Sequence, residues 1–498
     1  MSQPIERGTP LIPMREILSL DLRSLALLRI GLGVLLVLDW LDRVPDLRAH
    51  YSDDGIVPRQ VLDGILPLSV HLFNGSTWFQ GLLAGIAFVL AGLLIVGYRT
   101  PMITLLNWLM LLSVHGRNIA VLQGGDTLLR LLLFWGMFLP MGACWSIDSA
   151  KPRAKPRAKS IASLATAAFI FQLCLVYLFA SAWKWAPEWR DDGTAVHQAL
   201  SVACFASRFG LWLREQTGVC RLLTYSTLWL EALGPALLFL PFSVSRQRLV
   251  VIAAFLLFHV GLAITLELGN FPWVCCVMWL ALIPTAFWDR LERQLGWRRV
   301  TASEEVATDA EPAWTPPHGA LSQALLALLM IYILLWNLRS FDEENHRFLF
   351  PDQVKQVGWT LGLNQGWGLF APRPGRMSGW YIMAGTLADG TKVDLYNGGG
   401  PVDYSRPELI SATYANGRWR KLITNLTATY PSGDPMYPPL LNGYVRWLAR
   451  EWNRAHGTAN PLRVVEVIYM QELVMPPGVP LEPAQPIDLI RYEARDDS

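Results

Sequence analysis

Residues 161–184 read IASLATAAFIFQLCLVYLFASAWK, an apolar run in which Lys184, at its very end, is the first charged side chain. A helix of that length spans the roughly 30 Å hydrocarbon core of a bilayer, which needs about 20 apolar residues. Just before it stands Lys151-Pro-Arg-Ala-Lys-Pro-Arg-Ala-Lys159, a basic run with no apolar face. Such a run is a solvated tether that stays on the cytoplasmic side. The chain is therefore expected to cross outward over 161–184 and to deliver Lys184 to the outer surface.

Eight further apolar stretches lie around this one, at 24–40, 79–97, 102–115, 128–144, 221–242, 249–269, 271–288 and 320–338. The expected fold is an all-α polytopic membrane bundle of about nine spans. Two of them, 102–115 and 128–144, are short, and Pro140 interrupts the second. Composition agrees: only 16% of the 498 residues are charged, against about 25% in soluble domains. The 22 Trp suit a chain with two lipid–water interfaces. A net charge of +2 provides no basic face for nucleic acid. The His and Cys residues form no HExxH, HxxxH or CxxC, so no metal site is signalled.

Alternating outward from the basic run, the segments on its side carry about 15 Lys and Arg, against about 8 in the opposite loops. This puts the N-terminal segment 1–23 in the cytoplasm, makes the first span an uncleaved anchor, and leaves 24–338 as the transmembrane domain. An odd span number then places 339–498 outside. Two outer loops are long. The loop 41–78 is acidic, with Asp42, Asp46, Asp53, Asp54 and Asp63, and 185–220 holds Cys204 and Cys220, for which a disulfide and two free thiols are both open readings.

Beyond about 339 the long apolar runs stop, and a small α+β domain is expected. A hairpin is read over 380–387 and 391–396 around Ala388-Asp389-Gly390. A helix over 439–454 aligns Leu440, Leu441, Tyr444, Trp447, Leu448 and Trp452 on one stripe, and a strand is read over 462–470. Gly366-Trp-Gly-Leu-Phe-Ala-Pro372 reads either as an aromatic lid near the membrane surface or as an interfacial anchor.

Ionisable groups inside apolar spans cost about 2.5–3.5 kcal/mol to insert, so each is a functional candidate. Lys184, between Trp183 and Trp185, is either a desolvated amine able to accept a proton or a lysine snorkelling at a helix end. His259 and Glu231 fall at similar depth on neighbouring spans, as a functional His–carboxylate pair or a structural clamp. Asp126 and Arg130, four residues apart, can pair on one helix face, as a helix-start cap or as groups ordering a cavity beside Lys184. His115, Arg117 and Asn118 add to the same outer cluster. An apolar cavity lined by these groups would suit a lipid-soluble ligand such as a quinone.

Several motifs carry a resemblance to a known family. They are Asp21-Leu-Arg-Ser-Leu-Ala-Leu-Leu-Arg-Ile-Gly-Leu-Gly33, His50-Tyr-Ser-Asp-Asp-Gly55, Gly124-Gly-Asp-Thr-Leu-Leu-Arg130, Phe258-His-Val-Gly261 and Leu266-Glu-Leu-Gly-Asn-Phe-Pro-Trp273. Together they resemble the HTTM (horizontally transferred transmembrane) domain, whose characterised relative is the vitamin K-dependent γ-glutamyl carboxylase. Tyr177-Leu-Phe-Ala-Ser-Ala-Trp-Lys184 is similar to the carboxylase segment that bears its lysine base, with Trp183 in place of a first lysine. The resemblance implies Lys184 as base and His259 as an acid–base or hydrogen-bonding partner. From the residues themselves, Glu231, Asp126, Arg130, Trp183 and Trp185 are expected around the cofactor. The cofactor would be a reduced quinone resembling vitamin K hydroquinone, with O2 and CO2 as co-substrates and a protein or peptide as substrate. The carboxylase's large substrate-holding region has no counterpart in 341–498. A non-catalytic membrane anchor and a small-molecule transporter are the alternatives.

Overall fold

A computed structural model of the chain describes residues 14–62, 69–150, 158–240, 243–296, 319–341, 350–427, 437–457 and 459–494. The basic run 151–159 falls largely outside them. Ten helices make up the apolar part: α1 (Leu22–Arg43), α2 (Thr77–Val96), α3 (Thr100–Arg117), α4 (Gly124–Gly136), α5 (Leu164–Trp183), α6 (Thr217–Leu237), α7 (Val244–Thr265), α8 (Phe271–Leu280), α9 (Thr285–Gln294) and α10 (Gly319–Arg339). Side-chain caps start several of them. Asp21 accepts from the Arg23 N–H at α1, and Ser163 and Thr166 form a reciprocal capping box at α5.

Among the described residues, α1, α2, α5, α7 and α10 are long and apolar enough to cross a membrane. A sixth span results if α8 and α9, bent by 85° at the intervening break, are taken together. Pro284 lies in that break and disfavours helix at Ile283. The other three expected spans do fold as helices α3, α4 and α6, without that combination of length and hydropathy. Helix α4 stops at Gly136 rather than near Cys144, because Pro140 excludes a continuous helix there. Its 13 residues are buried on nearly every side, so α4 is a core helix of the bundle. Val89, Leu222, Val250, Leu257 and Leu328 are exposed, as a lipid-facing surface requires.

Helix α8 sits centrally, packed against α1, α4 and α7, while α5 packs against α6 and α10. The C-terminal part is a four-stranded antiparallel sheet in the order β2-β1-β3-β4, built from β1 (Met377–Leu387), β2 (Lys392–Asp394), β3 (Leu462–Leu473) and β4 (Gln485–Glu493). The expected hairpin is present, with Gly390 at φ +87°, a conformation that suits glycine. Helix α12 (Tyr437–His456) packs on β3 with Leu440, Tyr444 and Leu448 buried, and α11 (Gly417–Asn425) is an element the sequence reading did not contain. One hydrophobic core runs without interruption from the bundle into the sheet.

Helix α11 docks the C-terminal part onto the bundle through charge. Arg418, 2% exposed, reaches Asp126 (3.1 Å) and Asp39, both buried, and Asp42 (3.0 Å). Arg43 donates to Asp39 at 2.8 Å, to Asp126 at 2.8 Å and to the Tyr51 hydroxyl at 2.6 Å. Two buried guanidiniums thus face two buried carboxylates, the neutral pairing that makes interior charge tolerable. Burial works against the charge of Arg418, yet Asp126 and Asp39 outweigh it and hold the guanidinium well above its ordinary range. Trp419 Nε1 and Asn416 Nδ2 add bonds of 2.9 and 2.7 Å to Asp46.

Candidate functional site

Helix α5 ends at Lys184, where ψ turns to +56° and the chain enters Trp185-Ala186-Pro187. The turn folds Trp189 back so that its ring lies 5.0 Å from Lys184 Nζ. The ammonium is 2% exposed and donates to the Ala180 carbonyl, one turn back, at 3.3 Å and to Glu231 Oε2 at 2.6 Å. Glu231, from α6, is 4% exposed. Pro235, four residues on, has no N–H to offer the Glu231 carbonyl, so the helix is locally weakened next to the acid. Lys184 and Glu231 form a buried pair of zero net charge.

One helical turn or more along α5 lies a second polar group. Trp279 Nε1 donates to the Tyr177 hydroxyl at 2.7 Å, and that oxygen is 2.8 Å from His259 Nε2. Indole can only donate, so the hydroxyl accepts from Trp279 and forms its other bond with Nε2. His259 is 1% exposed, and its Nδ1 has no hydrogen-bond partner among the described residues.

Both polar groups open on one cavity of about 900 Å³, within the range of small-molecule and cofactor sites. Its walls are mainly apolar: Val176 and Ala180 of α5, Leu230 of α6, Phe258 and Leu262 of α7, with Phe271. Gly368, Leu369 and Phe370 of the aromatic loop close one side, and Trp189 Nε1 fastens that loop through the Phe370 carbonyl at 3.0 Å. The loop therefore forms a wall of the cavity.

The structure rearranges the expected partners. His259 meets Tyr177 and Glu231 meets Lys184, in place of a His259–Glu231 pair. Asp126 and Arg130 share a helix but do not bond each other. Asp126 is taken by Arg43 and Arg418 and accepts the Gln123 N–H at the helix start, and Arg130 bonds the Gly362 carbonyl (2.8 Å) and Asn364. Neither lines the cavity. Trp183 stacks on Phe341 at 4.8 Å and Trp185 is 54% exposed, so neither covers the lysine; Trp189 does. A helix cannot place consecutive residues on one face, which is why the flanking tryptophans diverge from Lys184. Cys204 and Cys220 are both free thiols. Arg117 donates to the Val57 and Ser52 carbonyls, and Asn118 to that of His50, so both order the outer loop.

Trp189, Tyr177 as the histidine's partner, and the α11 residues Arg420 and Lys421 were not singled out from the sequence. The Arg43 pairing did leave a signal, since Asp39 and Arg43 are opposite charges four apart in an apolar helix.

The apolar helices and the interior polar groups define an integral, multi-pass membrane protein. A family model, the HTTM domain, matches residues 18–288, more than half of the chain, and the chain belongs to that family. No curated protein and no solved structure matches it.

Proposed function

We propose that the chain is a membrane enzyme of the γ-glutamyl carboxylase type, acting on a lipid-soluble hydroquinone with the Lys184–Glu231 pair as its proton acceptor. The observation that carries this reading is a buried amine–carboxylate pair and an unpartnered imidazole Nδ1 on the wall of one large apolar cavity. A flat, apolar ring with two polar oxygens fits such walls; His259 Nδ1 would hold one oxygen and the Lys184–Glu231 pair the other. When bound, the reduced quinone supplies, with O2, the strong base a carbon deprotonation needs, and CO2 is the second co-substrate where carboxylation is retained.

The chain's own part is narrower. The pair shares one proton in its neutral state and can take up a second, and the apolar walls exclude the water that would compete for it. Tyr177 and Trp279 fix the orientation of His259, so its Nδ1 is positioned before any ligand arrives. In the same reading the N-terminus is cytoplasmic and 339–498 extracytoplasmic, which the Lys/Arg bias supports.

The test is conversion of reduced vitamin K to its epoxide by purified, reconstituted protein. Lys184→Ala and His259→Ala should each lower the rate by about 10²–10⁴-fold, the usual weight of a positioned acid–base group. Epoxide formed at the parent rate by either variant would remove the proposal.

A further inference from the structure

Where helix α11 meets the cavity it brings two cations with no acid in salt-bridge contact among the described residues. Arg420, 4% exposed, and Lys421, half-buried, both line the cavity, as does Thr424 one turn on. Neither cation has an ion-pair partner among the described residues, in contrast to Arg418 two positions earlier. Arg420 bonds Gln123 Oε1 weakly through Nη2 at 3.4 Å and approaches the Cys204 thiol, its face lies 4.4 Å from the Phe205 ring, and its Nε has no partner among the described residues. Burial pushes the Arg420 guanidinium below its ordinary range, and burial together with the neighbouring Arg420 does the same for the Lys421 amine. Two adjacent, desolvated cations without a salt-bridged acid, with Glu267 acting on Arg420 only at longer range, are costly unless an anion completes them.

Another part of the cavity wall is formed by apolar residues that are exposed at the surface of the bundle. Leu223 of α6, Leu257 and Ile264 of α7 and Phe209 line it, and the same residues are 37%, 75%, 52% and 47% exposed. Gly261, also on the wall, leaves open space where a side chain would stand. The cavity thus runs from a lipid-facing gap between α6 and α7 to a pair of cations on the C-terminal domain.

We propose that this cavity takes an anionic amphiphile from the membrane, with its apolar chain along the α6–α7 side and its carboxylate or phosphate held by Arg420 and Lys421. The site is set by α11 and the lipid-facing gap, so it holds whether or not Lys184 handles a quinone. The two anion sources, a fatty acid and a phospholipid headgroup, share this chemistry and separate by experiment.

The full-length protein in phosphatidylcholine-containing detergent micelles is incubated with radiolabelled oleate, phosphatidic acid or oleyl alcohol, and retained label is counted after gel filtration. Oleate, phosphatidic acid or both should be retained well above the neutral alcohol; the better-held anion identifies the source. Lys421→Gln and Arg420→Gln should each cut retention of that anion about tenfold, the cost of one charge-assisted bond, and Lys421→Arg should keep it. Thermal melting of each variant separates loss of the site from loss of the fold. Equal retention of alcohol and anions, or unchanged anion retention in well-folded Lys421→Gln and Arg420→Gln, overturns the proposal.

Discussion

Lys184 and Glu231 are worth more to each other than either is alone. Removing one partner of a buried pair strands the other charge, at a cost of about 3–5 kcal/mol, whereas replacing both by apolar residues of similar size is often neutral. Lys184→Ala should therefore melt well below the parent in detergent. The double variant Lys184→Met with Glu231→Leu should recover most of that stability and none of the activity. A double variant as unstable as the single one would mean that the pair is not an isolated unit. This separation also guards the activity test, because a dead but well-folded double variant cannot be dismissed as misfolded.

His71 makes a second prediction at this scale. Its ring is 1% exposed against Trp40 and the Ser113 hydroxyl, 2.7 Å from Nδ1. Burial, with Arg43, Arg117 and His115 nearby, pushes its pKa down to about 3 from the ordinary 6.5. A group held neutral in the fold favours the folded state fully above pH 6.5. That support is lost as pH falls toward 3, because the unfolded chain takes the proton first. The loss approaches about 1.4 kcal/mol per pH unit in that window. His71→Gln should flatten the fall of melting temperature between pH 6.5 and 4 relative to the parent. Parallel melting curves across that range would show that His71 contributes nothing to it.

At the scale of elements, the close approach of α12 to the outer loop is the most sensitive contact. A Cβ on Gly443 would stand 2.1 Å from the Ile56 carbonyl oxygen, a backbone atom that cannot swing aside. Gly443→Ala should push α12 off the loop and cost about 1–3 kcal/mol, visible as faster limited proteolysis of the C-terminal part. Unchanged proteolysis would show that the loop yields. The elements themselves were legible to different degrees. The long apolar helices, the β1–β2 hairpin and α12 follow from periodicity and turn residues, which are local properties. Helix α11 left no such mark, since Arg418, Arg420, Leu422 and Ile423 are all buried and their mixed character hides the face. The sequence points to an apolar cavity with Lys184, His259, Glu231, Asp126 and Arg130 around it, because buried charge in an apolar span is conspicuous; the first three line it and the last two do not. The expected His259–Glu231 and Asp126–Arg130 pairs do not form, because pairing depends on helix rotation and on Trp189 and Tyr177, neither of which stands out in an aromatic-rich chain.

At the scale of the molecule, the bundle and the C-terminal domain share one core and one charge cluster. Arg418→Met leaves Asp39 and Asp126 with Arg43 as their one remaining fully buried arginine partner. It should destabilise the protein by about 3–5 kcal/mol and release the C-terminal part to protease. The further change Asp126→Asn should restore part of that loss by removing the surplus negative charge. If Arg418→Met melts like the parent, the apolar contacts alone hold the two parts together.

The family segment ends at residue 288, yet its own hollow is finished by residues eighty or more positions downstream, Gly368–Phe370 and Arg420–Lys421. A bundle excised at that boundary would be a vessel missing one side, with two acids inside it that have lost a counterion. Grafting this segment onto a different tail would therefore transplant the fold without the vessel's far rim. Any chimera meant to keep the hollow sealed has to carry the aromatic loop and helix α11 along with it.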